Sequence, residues 1–192
     1  MSERELDYAL VKRVQAGEKA AFDLLVRKYQ SRIISLVSRM VKDQMEVEDV
    51  AQEAFIKAYR GLANFRGDSA FYTWLYRIAI NTAKNYLVSR HRKASMMGVD
   101  AQDAEQFDGA DLLQDHDTPE DLMVSEEVRQ SVRGSINDLP DELKTAITLR
   151  EFEGLSYEEI AEVMECPIGT VRSRIFRARE AIEINLKALA GE

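Results

Sequence analysis

Between Ala94 and Val128 the chain carries eleven Asp or Glu and no Lys or Arg. From Ala94 to Asp117 large apolar residues are few and follow no helical stripe, so this part reads as an extended, self-repelling linker. The rest must then fold as two short units, 1–93 and 118–192, each with its own core. A length of 192 residues allows two small domains. The same run explains the charge. The net charge of −8 argues against a nucleic-acid partner, but the acidic run more than accounts for it and leaves +3 on the remainder. Basic residues are also gathered: six Lys or Arg against the single acid Asp68 from Arg66 to Lys93, and four Arg with no acid from Arg172 to Arg179. That asymmetry, not the total, is the mark of a nucleic-acid binder.

Both units are expected to be all-α. Pro is scarce, Leu, Ala, Glu, Arg and Lys abound, and β-branched residues form no alternating runs. The spacing predicts a short helix near 7–15, stopped by Gly17, and a long one over 18–41. Phe22, Leu25, Val26, Tyr29, Ile33, Leu36, Val37 and Met40 form the buried face of the long helix. A further helix over 47–62 would bury Val50, Ala51, Ala54, Phe55, Ala58 and Leu62, with Gly61 and Asn64–Gly67 breaking the pattern. Another starts near Ser69 and runs to about Arg92. After the linker, Thr118 suits a helix cap with Pro119 at the first helical position. Helices then follow over about 119–136, 140–151, 156–165 and 168–187.

Ser156-Tyr157-Glu158-Glu159 is a capping box, with Leu155 and Ile160 placed for a hydrophobic staple. Pro167 fits the first turn of the following helix and not the interior of the preceding one. Two helices joined by a tight turn, the second rich in Arg, make a helix-turn-helix pattern. At about 100° per residue, Val171, Ile175, Ala178 and Ile182 fall together and face the core. Ser173, Phe176 and Arg177 lie opposite, with Arg172 at one edge and Arg174 and Arg179 flanking. In a major groove Arg pairs with guanine and Phe meets a thymine methyl, which suits this face. The flanking Arg are better placed for phosphates.

In the first unit, Trp74, Arg77, Asn81, Lys84 and Val88 share one helical stripe, while Tyr76, Ala79, Ile80, Ala83, Tyr86 and Leu87 share the packed side. Trp, Arg, Asn and Lys together meet the needs of single-strand recognition. The loop Phe65–Phe71 offers polar groups and two aromatics around a possible pocket for an extruded base. Spacing is equally compatible with Trp74 and Phe65 in the core and the basic residues as solubilising groups. On the preceding helix the outer face carries Asp49, Gln52, Glu53, Ile56, Lys57, Tyr59 and Arg60. This mixture of acid, amide and apolar groups suits a protein partner, although an ordinary exposed face has the same spacing.

Several classes are disfavoured. One cysteine, Cys166, allows no internal disulfide, and with His91 and His116 far apart a four-ligand zinc site is not expected. Cys166 reads as a small packing residue. No zinc set, phosphate-cradling Gly loop or Ser-His-Asp arrangement is evident, so neither an enzyme nor a cofactor is expected. Charged residues interrupt the first twenty positions and no run of about 18 apolar residues occurs, so a cytosolic chain without membrane insertion is expected.

The motifs resemble those of a known family. The stretch Asp49-Val50-Ala51-Gln52-Glu53-Ala54-Phe55-Ile56-Lys57-Ala58-Tyr59 resembles the core-binding motif of bacterial RNA polymerase sigma factors. Phe65-Arg66-Gly67-Asp68-Ser69-Ala70-Phe71-Tyr72-Thr73-Trp74-Leu75 and Ile80-Asn81-Thr82-Ala83-Lys84-Asn85 resemble their promoter-melting region. Gly154-Leu155-Ser156-Tyr157-Glu158-Glu159-Ile160-Ala161 and Gly169-Thr170-Val171-Arg172-Ser173-Arg174 resemble their terminal helix-turn-helix. The likeness is to the extracytoplasmic-function group of sigma-E/AlgU type and spans nearly the whole chain apart from the linker.

That resemblance implies roles. Asp49, Gln52, Glu53, Ile56 and Tyr59 would grip the clamp helices of the polymerase β′ subunit. The loop with Phe65, Ser69, Ala70 and Phe71, together with Asn81, would capture an unpaired minus-10 base. Trp74, Arg77 and Lys84 would hold the nearby strand. Arg172, Ser173, Phe176 and Arg177 would read the minus-35 element, with Arg174 and Arg179 beside them. It also implies docking of the second unit on the β flap, a membrane-linked anti-sigma factor, and promoters of envelope-stress genes. The alternative is a stand-alone helix-turn-helix regulator that never joins polymerase.

Overall fold

The computed structural model describes residues 3–96 and 130–190, and among them every regular element is helical. The chain divides into two compact units, broken between Phe107 and Asp108. The first holds α1 (Glu3–Gln15), α2 (Lys19–Ser38), α3 (Gln44–Gly61), a 3-10 turn over Leu62–Asn64, and α4 (Phe71–Met96). The second holds α5 (130–137), α6 (Asp141–Glu151), α7 (Tyr157–Met164) and α8 (Ile168–Ala190). Of the expected linker over 94–117, residues 94–96 are instead the last residues of α4; the rest of it, and the cap at Thr118, lie outside the described residues.

In the first unit α2, α3 and α4 bury Leu25, Tyr29, Ile33, Leu36, Val50, Ala54, Leu75, Tyr76 and Ile80 between them. The α3 stripe is as expected, with Val47 added. The α2 stripe is turned slightly: Ala21 is buried in place of Phe22, and Phe22, Val26 and Met40 are half-buried. Phe22 instead packs at the edge on Tyr59 of α3, ring centroids 5.0 Å apart. Burial of each large side chain is worth about 1.5–3 kcal/mol. Exposed ion pairs such as Arg13–Glu18 are screened by water and contribute little, so the apolar stripes and not the surface charges hold the bundle.

α1 begins earlier than its periodicity suggests, with Glu3 and Glu5 in its first turn, where carboxylates favour the helix dipole. It is locked to α2 by Asp7, which is buried and accepts from the Tyr29 hydroxyl and from Lys28 Nζ, the latter at 2.5 Å. At its other end Gln15 Nε2 donates to the carbonyls of Leu62 and Phe65, both at 2.9 Å. α3 begins at Gln44 because Asp43 accepts from the amides of Met45 and Glu46. Gly61 does not break α3. It is its last residue, and a Cβ there would lie 3.1 Å from the Trp74 ring, so the glycine makes room for the indole.

In the second unit Ala146, Leu149, Ile160, Val163, Val171, Ile175 and Ala178 form the core. The capping box of α7 is closed from both sides: Glu159 N donates to Ser156 Oγ at 3.2 Å and Ser156 N donates to Glu159 Oε2 at 2.8 Å. α7 ends on Glu165 in the left-handed region, φ 52° and ψ 45°, where the Cys166 amide reaches back to the Ala161 carbonyl at 3.1 Å. The Pro167 carbonyl then accepts from the amides of Thr170 and Val171, starting α8. Three residues, Glu165 to Pro167, thus turn one helix into the next.

Candidate nucleic-acid interface

The register of α8 decides which of its side chains reach outward. Val171, Ile175 and Ala178 are buried, which pushes Arg172, Ser173, Phe176 and Arg177 to the opposite, exposed side. Phe176 is 68% exposed, far more than a phenylalanine needs to be in a folded helix. The Arg172 guanidinium stands 6.0 Å from the centre of the Tyr157 ring, and Arg150 stands 5.0 Å from the same ring. Tyr157, the first residue of α7, therefore supports the edge of the basic face, a role its place in the capping box does not suggest. Among the described residues Arg177 makes no ion pair.

The two flanking arginines differ from expectation. Arg174 is half-buried, paired with Glu142 of α6 at 2.7 Å and donating to Cys166 Sγ at 3.3 Å, so it braces the turn against α6. Arg179 is exposed but bound by Glu151 at 2.6 Å; that hydrogen bond holds its guanidinium above the usual arginine range. Neither is poised for phosphate without giving up a carboxylate. Ile182, expected in the core, is half-buried and lines an apolar groove of about 710 Å³ with Val132, Ile136, Ile147 and Leu186.

In the first unit the loop before α4 closes a cavity of about 250 Å³. The loop supplies Phe65, Gly67, Ser69, Ala70 and Phe71, and α1 supplies Arg4, Glu5 and Tyr8. Phe65 and Phe71 are only 8% and 3% exposed, so they form its apolar base and do not project as wedges. Trp74 is half-buried beside them, with ring centroids 5.0 Å from Phe65 and 5.9 Å from Phe71. Trp74 thus packs on the two phenylalanines and stays partly exposed.

Asn81 does not join this cavity. It is exposed ten residues along α4 from Phe71, about 15 Å at 1.5 Å per residue. Arg77 and Lys84 are half-buried on the same helix. The α1 wall has no local sequence signal, because it depends on α1 being folded back over a loop some sixty positions later. The outer face of α3 exposes Asp49, Gln52, Glu53, Ile56 and Tyr59 together. Ile56 and Tyr59 are 45% and 41% exposed, and Glu53 pairs with Lys57 at 2.8 Å.

One compact unit thus carries an exposed arginine-lined helix face after a tight helix-helix turn, and the other an aromatic-lined cavity. Two family models match: Sigma-70 region 2 over residues 25–93 and Sigma-70, region 4 over residues 129–182. The chain is 62% identical over 192 residues to the RNA polymerase sigma-H factor of Pseudomonas aeruginosa, covering all of both chains. It is 60% identical over 189 residues to the ECF RNA polymerase sigma-E factor of Escherichia coli K12, covering 98% of each. The chain belongs to the sigma factors of RNA polymerase, in the extracytoplasmic-function group. Among solved structures, CnrH in complex with the cytosolic domain of CnrY shares the fold over 95% of this chain and 98% of that one, at a TM-score of 0.68 and 24% identity. These relatives are transcription initiation factors. Among the described residues no helix is long and apolar enough to cross a membrane.

Proposed function

We propose that each unit takes one promoter element while α3 holds the polymerase. α8 would enter the major groove of the minus-35 element, with Arg172, Ser173, Phe176 and Arg177 at the base edges. Arg174 and Arg179 would act mainly as braces. The cavity between α1 and the Phe65–Phe71 loop would receive an unpaired minus-10 base, with Trp74, Arg77 and Lys84 along the strand and Asn81 farther down α4. Asp49, Gln52, Glu53, Ile56 and Tyr59 would meet the β′ clamp helices, and the second unit would dock on the β flap. The observation that carries the reading is Phe176, 68% exposed among arginines on a helix whose other side is buried.

No bond chemistry is required, so the chain acts as a non-enzymatic, cofactor-free cytoplasmic subunit. Opening DNA costs about 1.4 kcal/mol per step in stacking. Each trapped base returns roughly 1–3 kcal/mol, so a few contacts favour the open form without ATP. Between the end of α4 at Met96 and residue 118 lie 21 residues that, if fully extended, would span about 70 Å. Two turns of DNA span about 70 Å, so one molecule reaches both elements. Control by a membrane-linked anti-sigma factor, and envelope-stress promoters as targets, complete the reading.

The rival is a regulator that never joins polymerase. Pull-down with purified core enzyme separates the two: the chain should be retained, and Glu53→Arg or Ile56→Glu should abolish retention while leaving thermal unfolding unchanged. Failure of core enzyme to retain the wild-type chain would count for the rival, and retention of both variants at the wild-type level would remove α3 as the polymerase-binding face.

A further inference from the structure

We propose that Tyr8 of α1 is the wall of the minus-10 cavity that stacks on the extruded base, an inference that rests on the base-capture reading above. Three aromatic rings line the cavity, but Phe65 and Phe71 are 8% and 3% exposed and have little face to offer. Tyr8 is 42% exposed and supplies the accessible aromatic surface. The cavity, about 250 Å³, lies below the roughly 300 Å³ at which pockets for drug-sized ligands begin, which suits a single base.

The ring is held in place from several sides. Tyr8 follows Asp7, the buried anchor of α1, so it does not sit on a fraying end. Gln15 ties the far end of α1 to the carbonyls of Leu62 and Phe65, fixing helix and loop together. Lys12 Nζ stands 5.2 Å from the centre of the Tyr8 ring. Gly67 meets the ring directly: a Cβ there would lie 2.6 Å from Cε2, and the residue has φ +83°. The loop thus needs glycine at 67 both for its backbone and for the tyrosine. A preorganised ring binds a base without first losing side-chain freedom.

The test uses the full chain assembled with core polymerase. The probe is a fluorescent single-stranded oligonucleotide carrying the non-template minus-10 sequence of a promoter that this holoenzyme transcribes, alongside versions with one abasic site at each position. The position where base removal weakens wild-type binding most identifies the captured base. Tyr8→Ala should bind the intact strand roughly 5- to 150-fold more weakly and the strand abasic at that position no differently from wild type. Tyr8→Phe should match wild type. Tyr8→Leu keeps apolar bulk against Gly67 but lacks a π face, and should show the same selective loss, covering the case in which the alanine variant fails to fold. Wild-type affinity of Tyr8→Ala and Tyr8→Leu for the intact strand would overturn the proposal. So would an equal loss on intact and abasic strands. If no abasic position weakens the wild type, base capture itself fails, and the role of Tyr8 with it.

Discussion

Phe176 and Arg174 stand two residues apart on α8 and separate two kinds of residue. An exposed phenylalanine forgoes much of the about 1.5–3 kcal/mol that its burial is worth, and Phe176 is 68% exposed. Phe176→Ala or Arg172→Ala should therefore leave folding intact, cost about 1–3 kcal/mol in promoter binding and relax preference at one base pair, measured by binding to a library of single-pair variants. Arg174→Ala should lower unfolding stability by up to about 1 kcal/mol and weaken all sequences alike. The sequence told the faces of α8 apart by angle alone. It did not reveal that Arg174 is engaged, because its partner Glu142 lies 32 positions away on another helix. Asp7 hid for the same reason: an acid near the start of a short helix gives no sign of Tyr29, 22 positions away. Burial, then the bond to Asp7, raises the Tyr29 hydroxyl well above the ordinary tyrosine value. A raised folded value means stability that is present in full below about pH 10 and lost as pH climbs from there. Tyr29→Phe should flatten that alkaline decline in chemical unfolding, while lowering stability at neutral pH by about 1–3 kcal/mol because Asp7 loses a partner.

At the level of elements, local chemistry was legible where it was self-contained. The capping box of α7 needs only four consecutive residues, and both of its bonds form. Ser156→Ala should cost about 0.5–2 kcal/mol in denaturant unfolding of the full chain, because the Glu159 amide loses the hydroxyl that accepts from it. The buried stripe of α3 was equally plain, since its small residues recur at helical spacing. Boundaries were less so. α3 starts at Gln44, three residues ahead of its first buried residue, because Asp43 caps a turn that faces solvent. Gly61 looked like a stop and is a seat for Trp74. The Phe65–Phe71 loop was visible as a candidate pocket from its aromatics, but three of the eight lining residues come from α1. Periodicity describes which side of a helix is buried and not what the helix covers.

For the whole molecule, the account turns on how charge and apolar surface are distributed between two units with separate cores. The net charge of −8 conceals two basic helical surfaces, and reading the charge by segment recovers them. The fold class and the order of the two sigma-70 regions along the chain followed from that segmentation together with the motifs. The division of labour between the units is testable at once by transcription in vitro with purified core polymerase and the purified chain. Templates carrying both promoter elements should yield RNA of defined length, and altering the minus-35 or the minus-10 element should each suppress it. An absence of RNA from every template, or RNA that is indifferent to both elements, would contradict the central claim.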